Sequence, residues 1–202
     1  MNIIIRRVIQ ILFAFLILFM AISTLTKGYR ASLESRNQIT LEEEKQQNEF
    51  IQQVAPVAQK MRDIYGVRPS ISIAQAILES DWGMSELAAT YGNLYGIKES
   101  ATESSVLMET QEFTGEEWIT IQDYFKVYDH FSYSIEDHAR LMVDGTTWDN
   151  TLYHPVLQAE TYQEAAYALQ EAGYATDPTY PAKVIGIIEQ YELYRYDLPV
   201  QN

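Results

Sequence analysis

The sequence predicts an α+β fold that is mainly helical, with a small β-hairpin lobe and one transmembrane helix at the N-terminus. Residues 8–25 are almost entirely apolar. From residue 50 onward, apolar side chains recur at three- and four-residue steps, which is typical of amphipathic helices. Residues 106–128 are instead rich in β-branched and aromatic side chains, as strands are. Helices before and after one β element do not fit the alternation of a parallel sheet.

The apolar stretch at residues 8–25 predicts a membrane segment, because it is about as long as a helix that crosses roughly 30 Å of hydrocarbon. Two arginines lie in the tip at residues 1–7, so the tip is expected in the cytoplasm and the rest of the chain outside. We expect residues 1–26 to be a single-pass anchor in the cell membrane. The alternative is a cleaved signal peptide, since residues 21–23 loosely fit a small-x-small cleavage pattern, and cleavage would secrete the protein.

Residues 27–47 are polar and include an acidic run at residues 42–44. They are expected to be a solvated tether or the exposed start of a helix. Fully extended, such a segment reaches at most roughly 65 Å. The folded domain would therefore work near the outer surface of the membrane.

Helical patterns open the folded domain, which is expected over residues 48–202. The first helix should cover residues 50–66 and the second residues 69–83, each ending at a glycine. Within the second helix, Ser72 and Gln75 have the spacing of a capping box. A short third helix is expected to follow.

The segment at residues 106–128 predicts a small antiparallel hairpin or a three-stranded flap, with Thr114 and Gly115 in a turn. Helical signals then return. Ser134 with Asp137, and Thr161 with Glu164, have the spacing of helix starts. Pro181 is expected early in the last helix.

The composition excludes several classes of function. The 202-residue chain carries a formal net charge of −14, which argues against nucleic-acid binding because phosphates demand a basic face. It has no cysteine, so disulfides, thiolate metal sites and a lipoprotein anchor are excluded. The histidines show no ligand spacing, and the acidic clusters lack an EF-hand pattern. The sequence predicts no metal and no other cofactor.

Glu79 is the leading candidate for a catalytic general acid. On a helical wheel, Ser72, Gln75 and Glu79 fall together beside a continuous apolar arc. A carboxyl group at the rim of an apolar core is partly desolvated, which raises its pKa and keeps it protonated as a general acid. Spacing alone also fits an ordinary exposed helix glutamate.

Longer motifs distinguish these two interpretations. The string AQAILESDWG at residues 74–83 is followed by NLYGIK at residues 93–98, FKVYD at residues 125–129 and AGYATDPTY at residues 172–180. Together these strings closely resemble the glucosaminidase family of peptidoglycan hydrolases, which includes bacterial autolysins and flagellar muralytic domains. The resemblance covers roughly residues 50–195.

The resemblance implies a lysozyme-like domain that acts as an endo-β-N-acetylglucosaminidase. Such an enzyme cleaves the β-1,4 bond after N-acetylglucosamine in glycan strands, for wall remodelling, cell separation or autolysis. Glu79 matches the general acid of the family. Glu112 lies where a second carboxylate is expected, and its rivals are the neighbouring acidic residues Glu109, Glu116, Glu117 and Asp123.

Further site residues follow from the same resemblance and from residue type. Tyr174 matches a family tyrosine near the scissile bond, with packing after a helix end as the alternative. Four residues are candidate substrate contacts, because aromatic rings suit sugar faces and an amide can bind a sugar hydroxyl: Trp82, Asn93, Tyr95 and Tyr180. The alternatives are core packing for the aromatic residues and a turn-shaping role for Asn93.

Two questions stay open at this point. The second carboxylate could activate water across roughly 6.5–9.5 Å with inversion, or it could assist the substrate acetamido group with retention. The same fold also serves lytic transglycosylases and muramidases, and a non-catalytic membrane-tethered scaffold is a further alternative.

Overall fold

The computed structural model describes residues 3–198, and it describes side chains for residues 29, 30 and 32–198. Within that range the fold is mainly helical with one two-stranded antiparallel sheet, which confirms the predicted class. The elements in chain order are α1 (Ile3–Tyr65), α2 (Pro69–Ser80), α3 (Glu86–Tyr91), β1 (Ser105–Phe113), β2 (Trp118–Lys126), α4 (Phe131–Asp144), α5 (His154–Gln158), α6 (Tyr162–Glu171), α7 (Tyr180–Gln190) and a 3-10 helix (Leu193–Asp197).

The chain divides into two units, Met1–Asn48 and Glu49–Asn202. Residues 27–47, the predicted tether, belong to helix α1. As an α-helix, about 20 residues rise about 30 Å, half the reach of an extended chain. No helix in the described part of the chain is long and apolar enough to cross a membrane. The predicted anchor, residues 1–26, lies outside the residues whose side chains are described.

Helix α2 runs through the core of the second unit. Pro69 occupies its first turn, where a missing backbone N–H costs nothing, and this confirms the predicted start. The helix packs against α6, α7 and the 3-10 helix. Ile73 is fully buried and Ile77 nearly so, and burial of each such side chain contributes about 1.5–3 kcal/mol.

The polar side of α2 is buried as well, which the helical pattern did not predict. Ser72 and Gln75 do not form the expected capping box, because both lie inside the helix. Ser72 instead contacts Tyr95, and Gln75 contacts Tyr180. Buried polar groups need hydrogen-bond partners, and α2 finds them in tyrosines from distant parts of the chain.

The predicted hairpin is confirmed. Strands β1 and β2 pair antiparallel from Ser105 opposite Lys126 to Phe113 opposite Trp118. The turn between them closes when the Thr114 amide donates to the Glu117 carbonyl at 3.0 Å. A third strand is absent from the described residues, where a single bridge joins residues 98 and 125.

The later helices follow the predicted order with one correction. Thr161 and Glu164 form the expected capping box of α6, and Pro181 lies in the first turn of α7. Ser134 does not open α4. The side chain of His130 accepts from the Ser132 amide and caps that helix four residues before Ser134.

Candidate active site

Glu79 occupies the last turn of α2, immediately before an abrupt change of chain direction. Asp81, Trp82 and Gly83 all adopt left-handed backbone conformations, with φ of 49°, 60° and 75°. Non-glycine residues rarely adopt this conformation, which costs free energy. Ser80 compensates, because its hydroxyl accepts from the Gly83 amide at 2.7 Å. The turn therefore fixes where the helix ends and where the Glu79 side chain projects.

The Glu79 side chain is solvent-exposed, yet protein surrounds its carboxyl group. Burial raises the pKa of this carboxyl. The hydrogen bond from the Tyr180 hydroxyl to Oε1, at 2.9 Å, and the positive charge of Lys183 lower that pKa in part, while the negative charge of Glu112 raises it further. A raised pKa favours the protonated form of a carboxyl, which general acid chemistry requires.

A buried hydrogen-bonded chain supports the Glu79 carboxyl. The Gln75 amide nitrogen donates to the Tyr180 hydroxyl at 3.1 Å, and that hydroxyl donates to Glu79. Gln75 is fully buried and lies one helical turn before Glu79, whereas Tyr180 begins α7. The environment of the Glu79 carboxyl therefore depends on the packing of α7 against α2.

Aromatic rings form a wall next to the hydrogen bonds that join Gln75, Tyr180 and Glu79. The rings of Tyr95 and His138 stack with centroids 4.0 Å apart. Tyr174 meets His138 edge-on at 5.9 Å and lies 5.8 Å from Tyr180. Burial lowers the pKa of His138 to about 3, so this histidine is neutral at physiological pH. It is fully buried and packs among these aromatic rings.

Glu112 lies on the opposite, β side of the site. Strand alternation turns Glu112 and Asp123 to the same face of the hairpin, where Lys98 binds both carboxylates at 2.9 Å. The hydrogen bond from Lys98 lowers the pKa of Asp123. The hairpin tip also approaches the loop that carries Tyr174, since the Phe113 amide donates to the Thr176 hydroxyl at 3.3 Å.

The structure separates Glu112 from its rivals. Glu109 points to the exposed face of the hairpin, and Glu116 and Glu117 lie in its exposed turn. Asp123 pairs with Met108, four residues along β1 from Glu112 and farther from the tip. Glu112 is also the hairpin residue whose charge raises the pKa of Glu79.

The candidate substrate contacts lie mostly inside the protein. Tyr95 is 4% exposed and Tyr180 is 3% exposed, and the hydroxyl groups of both are hydrogen-bonded within the site. Trp82 packs edge-on against Phe50 and Tyr191. The rings of Tyr95 and Tyr180 therefore offer no open face for a sugar, whereas Trp82 stays partly exposed.

Asn93 is buried and its amide is used within the protein. Its nitrogen donates to the Ile97 and Lys126 carbonyls, each at 2.9 Å, and its oxygen accepts from the Tyr95 and Ile97 amides. These bonds tie the turn after α3 to the end of β2. The geometry favours the turn-shaping alternative for Asn93.

Two residues of the site were not predicted. Gln75 shares the Glu79 side of α2, and this spacing was the available signal. Lys98 follows the turn after α3, and the sequence offered no sign that it would reach two carboxylates on the hairpin. Within the described residues, no group of three or more histidine, aspartate and glutamate side chains is placed to hold a metal ion.

Comparison with known proteins places this geometry in a family. Residues 55–193 match the glucosaminidase family model, described as mannosyl-glycoprotein endo-beta-N-acetylglucosaminidase. The chain is 47% identical over 182 residues to the exo-glucosaminidase LytG of Bacillus subtilis, covering 90% of this chain and 62% of that protein. It is 38% identical over 178 residues to a probable N-acetylmuramidase of Lactococcus lactis, covering 86% of this chain and 40% of the relative. The chain thus spans less than two thirds of either relative.

Solved structures agree. The catalytic domain of the autolysin Auto from Listeria monocytogenes superposes with a TM-score of 0.67 at 38% identity, covering 75% of this chain and 87% of that one. A truncated glycoside hydrolase domain of FlgJ from Salmonella typhimurium superposes with a TM-score of 0.56 at 30% identity. The match covers 72% of this chain and 97% of that domain. The family match spans α2 with Glu79 and the hairpin with Glu112. The chain belongs to the glucosaminidase family.

Proposed function

We propose that this protein is a peptidoglycan hydrolase, an N-acetylglucosaminidase that cleaves the β-1,4 bond after N-acetylglucosamine in glycan strands. The observation that carries the proposal is Glu79, a solvent-exposed residue whose carboxyl pKa is raised by burial and, to a smaller extent, by the charge of Glu112 on the hairpin. Membership of the glucosaminidase family and relatives named as autolysins and peptidoglycan hydrolases support it.

In the proposed reaction, Glu79 gives its proton to the glycosidic oxygen as the bond from that oxygen to the anomeric carbon breaks. The leaving sugar departs as a neutral alcohol, and Glu79 becomes a carboxylate. Tyr180 then stabilises the new charge, because its hydroxyl already donates to Oε1. Charge-assisted hydrogen bonds of this kind are stronger than neutral ones.

The second carboxylate acts on the other side of the sugar. Lys98 holds Glu112 in one orientation, from which it either activates a water molecule or stabilises the positive charge on a cyclised acetamido group. Tyr174 is suited to position the acetamido group or the water, because it lies next to Tyr180 on the same side of the site. Inversion at the anomeric carbon would identify the first route and retention the second.

Replacement of the acid tests the proposal. Glu79→Gln should lower the rate of glycan hydrolysis by about 10²–10⁴-fold, because the leaving oxygen loses its proton donor. Digested peptidoglycan, analysed by mass spectrometry, should carry reducing N-acetylglucosamine ends in the wild type. Glu86→Gln, an exposed change on α3, is the matched control and should keep full activity.

Three outcomes would contradict the proposal. Undiminished hydrolysis by Glu79→Gln would remove its basis. Anhydro-muramic ends would make the enzyme a lytic transglycosylase, and reducing muramic acid ends would make it a muramidase, as the Lactococcus lactis relative is named. The size of the products also separates internal cleavage, which we propose from the family description, from the terminal cleavage that the name of LytG states.

The role of Glu112 has its own test. Glu112→Gln should lower the rate of hydrolysis by about 10²-fold or more, because the developing positive charge or the attacking water loses its carboxylate partner. Glu109→Gln changes the same residue type on the outer face of the same strand and should leave the rate unchanged. If Glu109→Gln inactivates the enzyme and Glu112→Gln does not, the assignment is wrong.

We propose that residues 1–26 hold the enzyme in the cell membrane, with the folded domain on the wall side. The support is the apolar stretch and the arginines before it. Removal of residues 1–30 should transfer the protein from the membrane fraction to the soluble fraction while hydrolysis persists. A mature wild-type protein that begins just after Ser23 and is found in the medium would show a cleaved signal peptide instead.

A further inference from the structure

Gln75 is a buried polar residue to which the proposed reaction assigns no task. Its side chain is fully buried on α2, and its amide nitrogen donates to the Tyr180 hydroxyl at 3.1 Å. Its amide oxygen has no hydrogen-bond partner among the described residues. Leaving a buried acceptor unpaired costs stability, so the orientation of this amide calls for a physical reason.

The direction of the hydrogen bonds supplies that reason. A phenol carries one proton, and its oxygen can also accept. Because Gln75 donates to that oxygen, the proton of Tyr180 is left for Oε1 of Glu79. If the amide were turned over, Tyr180 would donate to Gln75, and a protonated Glu79 would have to donate its own proton to Tyr180. In that arrangement the acid proton would be held inside the protein.

We propose that Gln75 is a positioning residue for the acid: its donation to Tyr180 makes the tyrosine donate to Oε1 of Glu79 and leaves the transferable proton on Oε2. This inference rests on the proposed role of Glu79 as the proton donor. The amide oxygen of Gln75 is left unpaired because the amide nitrogen must face Tyr180 to keep both hydrogen bonds pointing toward Glu79. Tyr180 thus serves the acid with its hydroxyl group rather than a sugar with its ring face.

The competing explanation is that Gln75 only fills space in the core. Ser72 offers a matched comparison, because it lies on the same side of α2, is also buried, and also bonds a buried tyrosine, Tyr95. The Ser72 and Tyr95 pair has no hydrogen bond to Glu79 in the described structure. A packing role would make the two positions behave alike, whereas a positioning role would single out Gln75.

The experiment uses the full chain and measures kcat and kcat/KM for a soluble glycan fragment as functions of pH. In Gln75→Leu, Tyr180 loses the donor that polarises its hydroxyl and becomes a weaker partner for the Glu79 carboxylate. The Glu79 pKa therefore rises, and the basic limb of the profile should move to higher pH by up to about one unit. We expect kcat to fall about tenfold, the effect of one hydrogen bond, with KM little changed.

The Tyr180→Phe background separates positioning from packing. Tyr180→Phe should itself move the basic limb to higher pH, and adding Gln75→Leu should then produce no further movement, because the hydroxyl through which Gln75 acts is gone. Ser72→Ala should leave the limb where it is. Thermal unfolding of each variant reports loss of stability separately, and Gln75→Met serves as the second variant if Gln75→Leu does not fold.

Two results would overturn the inference. One is a Gln75→Leu or Gln75→Met enzyme that folds and keeps the wild-type basic limb. The other is an equal movement of the limb with and without the Tyr180 hydroxyl. The proposed function fails separately: it is refuted by an active Glu79→Gln enzyme, whereas an inactive Glu79→Gln enzyme with an unmoved limb in Gln75→Leu refutes the positioning role alone.

Discussion

The hydrogen bond from Tyr180 to Glu79 is the interaction on which the site depends. The two residues are 101 positions apart in the chain, so the bond exists only when α7 has packed against α2. Tyr180 begins α7, where Pro181 fixes the first turn. Glu79 ends α2, where the left-handed turn stops the helix. The proposed acid is therefore positioned where the end of one helix meets the start of another.

Opposing electrostatic effects meet at this carboxyl. Burial favours the neutral acid and dominates, whereas Tyr180 and the positive charge of Lys183 favour the carboxylate. Lys183 is itself bound to Asp177 at 2.6 Å, which reduces the net positive charge near the acid. The balance leaves the pKa of this carboxyl above its usual value, as suits a group that must give up a proton.

Local patterns in the sequence predicted the local structure. The start of α2, the hairpin and the capping box at Thr161 depend on side chains a few residues apart, and each was confirmed. The predicted end of α2 at residue 83 was wrong, because the helix stops at Ser80, before the left-handed turn at residues 81–83. The cap of α4 was mistaken, because the sequence cannot tell a buried Ser134 inside a helix from a capping serine. Short-range rules do not report which side of a helix a distant element will cover.

The site was predicted only in part for the same reason. Motif strings predicted Glu79 as the acid and favoured Glu112, and these roles stay predictions. Two aromatic residues expected to contact sugar, Tyr95 and Tyr180, are instead buried partners of α2. Tyr95 contacts Ser72, 23 positions away in the sequence, and Tyr180 contacts Glu79, 101 positions away. The sequence shows that a side chain is aromatic. Only the packed fold shows whether its ring is free to contact a sugar or its hydroxyl group is hydrogen-bonded inside the protein.

The central claim is that Glu79 has a raised pKa and delivers its proton to the glycan. The most direct measurement is a carbon NMR titration of the Glu79 carboxyl, assigned by its loss in Glu79→Gln, beside the pH dependence of kcat/KM. Because the acid must be protonated, activity should fall as pH rises through its pKa, so the carboxyl midpoint should lie above the usual glutamate value and coincide with the basic limb. A Glu79 that titrates at or below the usual value, while activity persists to higher pH, would contradict the account.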